Sequence, residues 1–205
     1  MRSFPLALGL LALTGACGFV AFGPSFGTGA PREGNGICGT STVIGSMAEP
    51  VRNGACGIDN PVRITSVAGV RLSQPATLGC EAVRSLEQWT QRTAIPAVGG
   101  RHGGLAQLTV AGSYSCRGRN GVAGAKLSEH AFGRAIDISG FVTGDGTRVT
   151  VEGDWSFWKF WGAARALKTM RRGACGPFGT VLGPGSDRYH HDHLHFDVAD
   201  QRYCK

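Results

Sequence analysis

Four of the six histidines crowd into one eight-residue run, His190-His191-Asp192-His193-Leu194-His195-Phe196-Asp197. Alternate residues of a β-strand share a face. A strand here puts His193 and His195 on one side, with His191 and Asp197 beside them if it extends, and turns Leu194 and Phe196 towards a core. Two imidazoles on one face are half of a metal site, since a catalytic zinc takes three protein ligands and keeps one position open for water. Such a metal lowers the pKa of its bound water to roughly 7. The remaining ligands can come from upstream. His130 stands in Ser128-Glu129-His130-Ala131-Phe132-Gly133-Arg134-Ala135-Ile136-Asp137. If Arg134–Ile138 is a strand, Asp137 projects between two isoleucines, where a buried carboxylate needs a partner. A turn at Gly133 would return His130 to it. His102, in Gly99-Gly100-Arg101-His102-Gly103-Gly104, reads as part of a flexible loop with no chemical role.

The elements that must hold these groups are legible in outline. Val62–Ile64 and Val70–Leu72 read as short strands in a segment, 38–74, rich in Gly, Pro and Asn. Leu78, Ala82, Leu86 and Trp89 fall at helical spacing within Leu78–Arg92, with Thr77 as N-cap. Leu105–Val110, Arg134–Ile138, Phe178–Leu182 and His193–Val198 read as strands. Ser156–Arg172 reads as a helix whose Phe157, Phe160, Trp161, Ala164, Leu167 and Met170 form a core-facing stripe. Helices and strands mix without a βαβ repeat, so the fold class is α+β: a small antiparallel sheet carrying the metal site, flanked by helices.

The chain has 205 residues, enough for one domain with a real core. Gly 33 and Pro 9, with only 17% charged residues, predict a loop-rich fold. The 42% hydrophobic content excludes a disordered chain, and the glycines lack collagen's period. Seven cysteines form no C-x-x-C pair. Cys17 lies in the apolar N-terminus; the other six, Cys38, Cys56, Cys80, Cys116, Cys175 and Cys204, predict three disulfides in an oxidising compartment. Residues 1–23 carry a single charge, Arg2, before an apolar stretch. This is the pattern of a cleaved signal peptide, a lipoprotein signal or a retained membrane anchor. Leu13-Thr14-Gly15-Ala16-Cys17 is similar to a lipobox, with Thr14 where Leu is usual. All three readings export the rest to the periplasm or cell envelope. Residues 24–37 read as a Gly/Pro-rich linker and 38–205 as the domain. The net charge of +7 suits an anionic partner, but the scattered cations and the lack of an aromatic-basic stripe argue against nucleic acid.

The pattern S-x-H-x-x-G-x-A-x-D followed by H-x-H resembles the zinc peptidases of the lysostaphin, D-alanyl-D-alanine carboxypeptidase and Hedgehog group. That resemblance implies His130, Asp137 and His195 as Zn2+ ligands and His193 as a catalytic group, acting as general base or oxyanion stabiliser. Carboxypeptidase members often place a Glu shortly before the last His. Only Asp192 stands there, which favours endopeptidase action; Glu129 is a weaker base. More narrowly, Ser113-Tyr114-x-Cys116-Arg117, Leu127-Ser128-Glu129-His130-Ala131, Val181-Leu182-Gly183-Pro184, the histidine run and Tyr203-Cys204 look like the bacterial extensin-like C-terminal family. The shared motifs imply a zinc-dependent hydrolase of peptidoglycan peptides. Arg117 matches an Arg that in related peptidases holds a substrate carboxylate. His190 and His191 could orient a ligand or the substrate. A non-catalytic wall-binding module with a structural zinc is the alternative. An exported DNA- or polysaccharide-binding domain and a general metal-binding histidine tract are weaker ones. Oligomeric state is not legible.

Overall fold

The structure, a computed structural model, describes residues 36–156, 161–200 and 202–205. The expected signal or anchor (1–23), most of the linker (24–37), Phe157 and Phe160 lie outside the described residues. The strands are β1 (Val43–Met47), β2 (Val51–Asn53), β3 (Cys56–Ile58), β4 (Val62–Val67), β5 (Val70–Leu78), β6 (Leu105–Gly112), β7 (Ala135–Thr143), β8 (Arg148–Thr150), β9 (Thr180–Leu182), β10 (Leu194–Asp197) and β11 (Tyr203–Cys204). The helices are α1 (Cys80–Trp89), α2 (Ile95–Val98), α3 (Val151–Asp154) and α4 (Trp161–Ala174), with a π-turn, Thr90–Ala94, joining α1 to α2.

Helices and strands do mix, but the sheet is not small. Nine strands run in the order β1-β4-β5-β6-β7-β10-β9-β11, with β8 beside β7, while β2 and β3 form a separate hairpin. Nor is it wholly antiparallel: β5 runs parallel to β6, and β11 parallel to β9. The size comes from the segment that reads as loop-rich. Val62 and Ile64 alternate with exposed Arg63 and Thr65, so β4 buries one face as a strand should. β5 reaches nine residues because its register with β4 shifts between Ile64 and Ser66. Pro75, unable to donate to a ladder, falls inside that irregular stretch.

β5 also consumes the expected start of α1. Thr77 and Leu78 are strand residues, and the helix begins at Cys80 after Gly79 rather than after a Thr77 cap. The apolar spacing still serves packing: Leu78, Ala82, Leu86 and Trp89 are all buried. The described part of the second long helix is Trp161–Ala174; Ser156 is not helical, and before it Val151–Asp154 forms the short α3, capped by Thr150. Ala164, Leu167 and Met170 line its buried face. Trp89 links the two helices by donating its indole N–H to the Met170 carbonyl at 2.9 Å. Its ring meets Phe196 of β10 edge-on at 5.0 Å.

The expected three disulfides are present: Cys38–Cys80, Cys56–Cys116 and Cys175–Cys204. Among the described residues, no helix is long and apolar enough to cross a membrane. The Arg101–Gly103 turn is not free of contacts: His102 binds Asp145 in the β7–β8 hairpin at 2.8 Å.

Candidate metal centre

β7 and β10 are antiparallel neighbours with His195 paired directly opposite Asp137. The period of two sends Ile136, Ile138, Leu194 and Phe196 into the core beneath the helices. Asp137, His195 and Asp197 go to the other face. His130 reaches the same face from a 3-10 turn, Glu129–Phe132. Ser128 caps that turn by accepting from the His130 amide, and Gly133 ends it in the left-handed region at φ 63°. A side chain on Gly133 would also strike Ile58, so both its conformation and its space demand glycine. The expected return of His130 to Asp137 through Gly133 is thus realised.

His130, Asp137 and His195 each offer a ligand atom, and these atoms lie within 4.8 Å of one another. His130 Nδ1 lies 2.6 Å from the Ser113 carbonyl, which can only accept, so Nδ1 carries the proton and donates. Its Nε2 therefore turns a lone pair to Asp137 Oδ2 at 3.0 Å and to His195 Nδ1 at 3.2 Å. At the far side of its ring His195 Nε2 donates to Asp197 Oδ2 at 3.0 Å, which leaves Nδ1 facing Asp137 Oδ1 at 2.8 Å. With His195 neutral, two imine nitrogens and a carboxylate converge with their acceptor sides together. Such a set needs a cation or a shared proton at its centre. The donor types, two nitrogens and a carboxylate, suit zinc or a similar divalent metal.

The electrostatics describe the shared-proton state of this cluster. Burial opposes ionisation of Asp137, but the hydrogen bonds and charges of His130 and His195 outweigh it and hold the carboxyl far below the usual range. Burial likewise disfavours charge on His195, yet Asp137 and Asp197 raise its pKa to about 9, so without a metal the shared proton sits on His195 Nδ1 and is donated to Asp137, and a metal binding there would displace it. Asp197 stays ionised against its own burial through His195 and the Ala199 amide. Gly112 completes the enclosure. A β-carbon there would stand 2.9 Å from Asp137 Oδ2, so β6 approaches the carboxylate with bare backbone.

A model of the extensin-like protein C-terminus matches residues 38–205. The chain belongs to that family. Comparison with curated proteins and with solved structures yields no match.

The extensin-like domain opens a cleft of about 720 Å3 over the cluster. His193 lines it, 19% exposed, with Nδ1 donating to Asp192 at 2.8 Å and Nε2 left 3.7 Å from Asp137 Oδ1. His190 lines it too, its ring 5.2 Å from that of His193 and 5.5 Å from that of His195. Its Nδ1 donates to Asp187 at 2.8 Å. Burial lowers the His190 pKa and outweighs the opposing pull of Asp187. Arg117 is exposed at the cleft margin, and no ion pair holds it among the described residues. His191 faces outwards, bonded to the Arg188 carbonyl at 3.1 Å, and does not line the cleft.

Sequence reasoning placed Asp197 on the right face but gave it no task. Its spacing of two from His195 was the available signal. Asp187, the Ser113 carbonyl and Gly112 had none, because their approach depends on how distant segments meet.

Proposed function

We propose that the domain is a zinc-dependent peptidase of peptidoglycan, hydrolysing peptide crosslinks or stem peptides, with endopeptidase action favoured over carboxypeptidase action. The observation that carries the reading is the convergence of His130 Nε2, His195 Nδ1 and the Asp137 carboxylate on the floor of an open cleft that also holds two further histidines. His130, Asp137 and His195 would hold the metal, which when bound lowers the pKa of a coordinated water to about 7 and polarises a carbonyl oxygen.

The chain's own groups have separable tasks. Ser113 and Asp197 fix the tautomers of His130 and His195. Asp192 holds the Nδ1 proton of His193, so Nε2 is the atom free to take or give a proton beside the cluster. His190, anchored by Asp187, supports the same wall of the cleft. Arg117 offers a planar, bidentate donor to a substrate carboxylate. Export through residues 1–23 would bring the domain to its polymer in the periplasm or cell envelope.

One observation supports the alternative, a wall-binding module with a structural metal. His193 Nε2 is close enough to the cluster, 3.7 Å from Asp137, to become a fourth ligand and close the site. Mass spectrometry of defined muropeptides digested with and without a chelator separates the two. The peptidase reading requires chelator-sensitive cleavage that His195→Ala abolishes. Full activity of that variant would overturn the site assignment, and binding of muropeptides without cleavage would favour the module.

A further inference from the structure

Four cations line the cleft, Arg117, Arg119, Lys126 and Arg134, and all come from the connection between β6 and β7. Residues 118–127 close as a glycine-rich hairpin. Gly118 bridges Leu127, and the Arg119 amide donates to the Lys126 carbonyl at 2.9 Å. Asn120, Gly121 and Gly124 take left-handed backbone to make the turn. The hairpin backbone thereby holds Arg119 and Lys126 side by side. Behind them one buried carboxylate serves two guanidiniums: Glu129 Oε1 lies 3.6 Å from Arg119 and Oε2 lies 3.8 Å from Arg134. The Glu129 side chain is 10% exposed, while those of Arg119 and Arg134 are 49% and 55% exposed. Glu129 therefore lies within ion-pair distance of both arginines and leaves much of each in solvent. Lys126 is exposed with no ion-pair partner among the described residues. Four cations against one carboxylate leave a local excess of three positive charges.

Beyond Glu129 and the metal-site carboxylates Asp137 and Asp197, the cleft has two further acids, and these come from elsewhere. Asp187 precedes β10, and Asp200 follows it. The sheet order sets β6 on one side of the β7–β10 pair and β9 on the other. A nucleic acid, charged at every phosphate, would meet both signs. A short peptide with separated carboxylates and a free amine would meet its complement on each side.

We infer that the β6–β7 connection is the specificity element of the cleft, with Arg119, Lys126 and Arg134 binding the carboxylates of an acidic peptide whose amino group lies towards Asp187 and Asp200. The inference rests on the peptidase reading for the nature of the substrate, but the binding it describes does not depend on hydrolysis.

The test is calorimetric titration of the full chain, kept in chelator so that nothing is cut. The probes are a synthetic stem-type tetrapeptide with two free side-chain carboxylates and its fully amidated analogue. The acidic peptide should bind roughly tenfold or more tightly, the worth of one charge-assisted hydrogen bond. The double variant Arg119→Ala/Lys126→Ala should cut that preference several-fold while affecting the amidated peptide far less. Equal affinities for the two peptides in the wild-type chain would overturn the inference without recourse to any variant. So would tighter binding of a single-stranded oligonucleotide of matched charge. Preference without cleavage after zinc is restored would defeat the peptidase reading alone; cleavage without preference would defeat this inference alone.

Discussion

β7 and β10 bury both of their faces, by opposite means. On one, Ile136, Ile138, Leu194 and Phe196 are 0–1% exposed beneath the helices. On the other, Asp137, His195 and Asp197 are 5–7% exposed. The apolar face is stabilised by removing surface from water and by close packing. The polar face cannot be, because each buried ionisable group carries a desolvation cost that only its partners offset. Burial alone therefore does not mark a functional site. What marks it is that the polar face is held together by acceptor atoms turned towards each other, an arrangement that needs a cation or proton to be stable.

The two faces should fail differently when altered. The largest effect is expected from Asp137→Ala, which removes the shared carboxylate. On the proposed zinc reading, the wild type carries about one zinc per molecule and the purified variant close to none. An unchanged stoichiometry would mean that the metal sits elsewhere. Phe196→Ala, one residue from His195, should instead cost about 3–5 kcal/mol in denaturant unfolding. The fraction that stays folded should keep its metal affinity. If both variants lost metal and stability alike, the faces would not be separable. Asp197→Asn keeps the shape but weakens the hydrogen bond that sets the His195 tautomer. Competition with a chromophoric chelator should show metal affinity about 10–100-fold lower, with the melting temperature little moved.

The smallest effect is expected at the surface. Asp145 is held below the usual carboxyl range by the Thr143 hydroxyl, the Thr147 amide and His102. Its contribution to stability is present above the unfolded carboxyl pKa and is lost as pH falls through the depressed folded value. Asp145→Asn should be slightly less stable than the wild type at neutral pH, and the two melting curves should approach each other in acid. A gap that stays constant down the pH scale would show that the contact is not electrostatic.

The contrast also explains what was legible in the sequence. The alternation in His193–Val198 and Arg134–Ile138 separated Leu194 and Phe196 from His195, and Ile136 and Ile138 from Asp137, because a period of two is a local property; that Asp137 and His195 share a face follows from the pairing of β7 with β10. Sheet size was not legible. The residues of β4 and β5 are ordinary strand formers interrupted by Pro75, and only their pairing across a register shift shows them to be central. Thr77 looked like a helix cap for a similar reason. Its propensity was read locally, while pairing with Arg63 drew it into β5. At the site, ligand types follow from residue identity, but the partners that fix their tautomers depend on tertiary approach. Ser113 contributes a backbone carbonyl, which no side-chain pattern announces.

Gly112 carries this to its limit. It has no functional group to remove, so a survey by truncation to alanine would treat it as a conservative change and one by deletion of side chains would pass over it. Yet the first carbon added there meets Asp137 Oδ2 at 2.9 Å. The position of the carboxylate is set in part by an empty volume. In a mutational map, Gly112 should behave as a member of the cluster, because any side chain there displaces the Asp137 carboxylate.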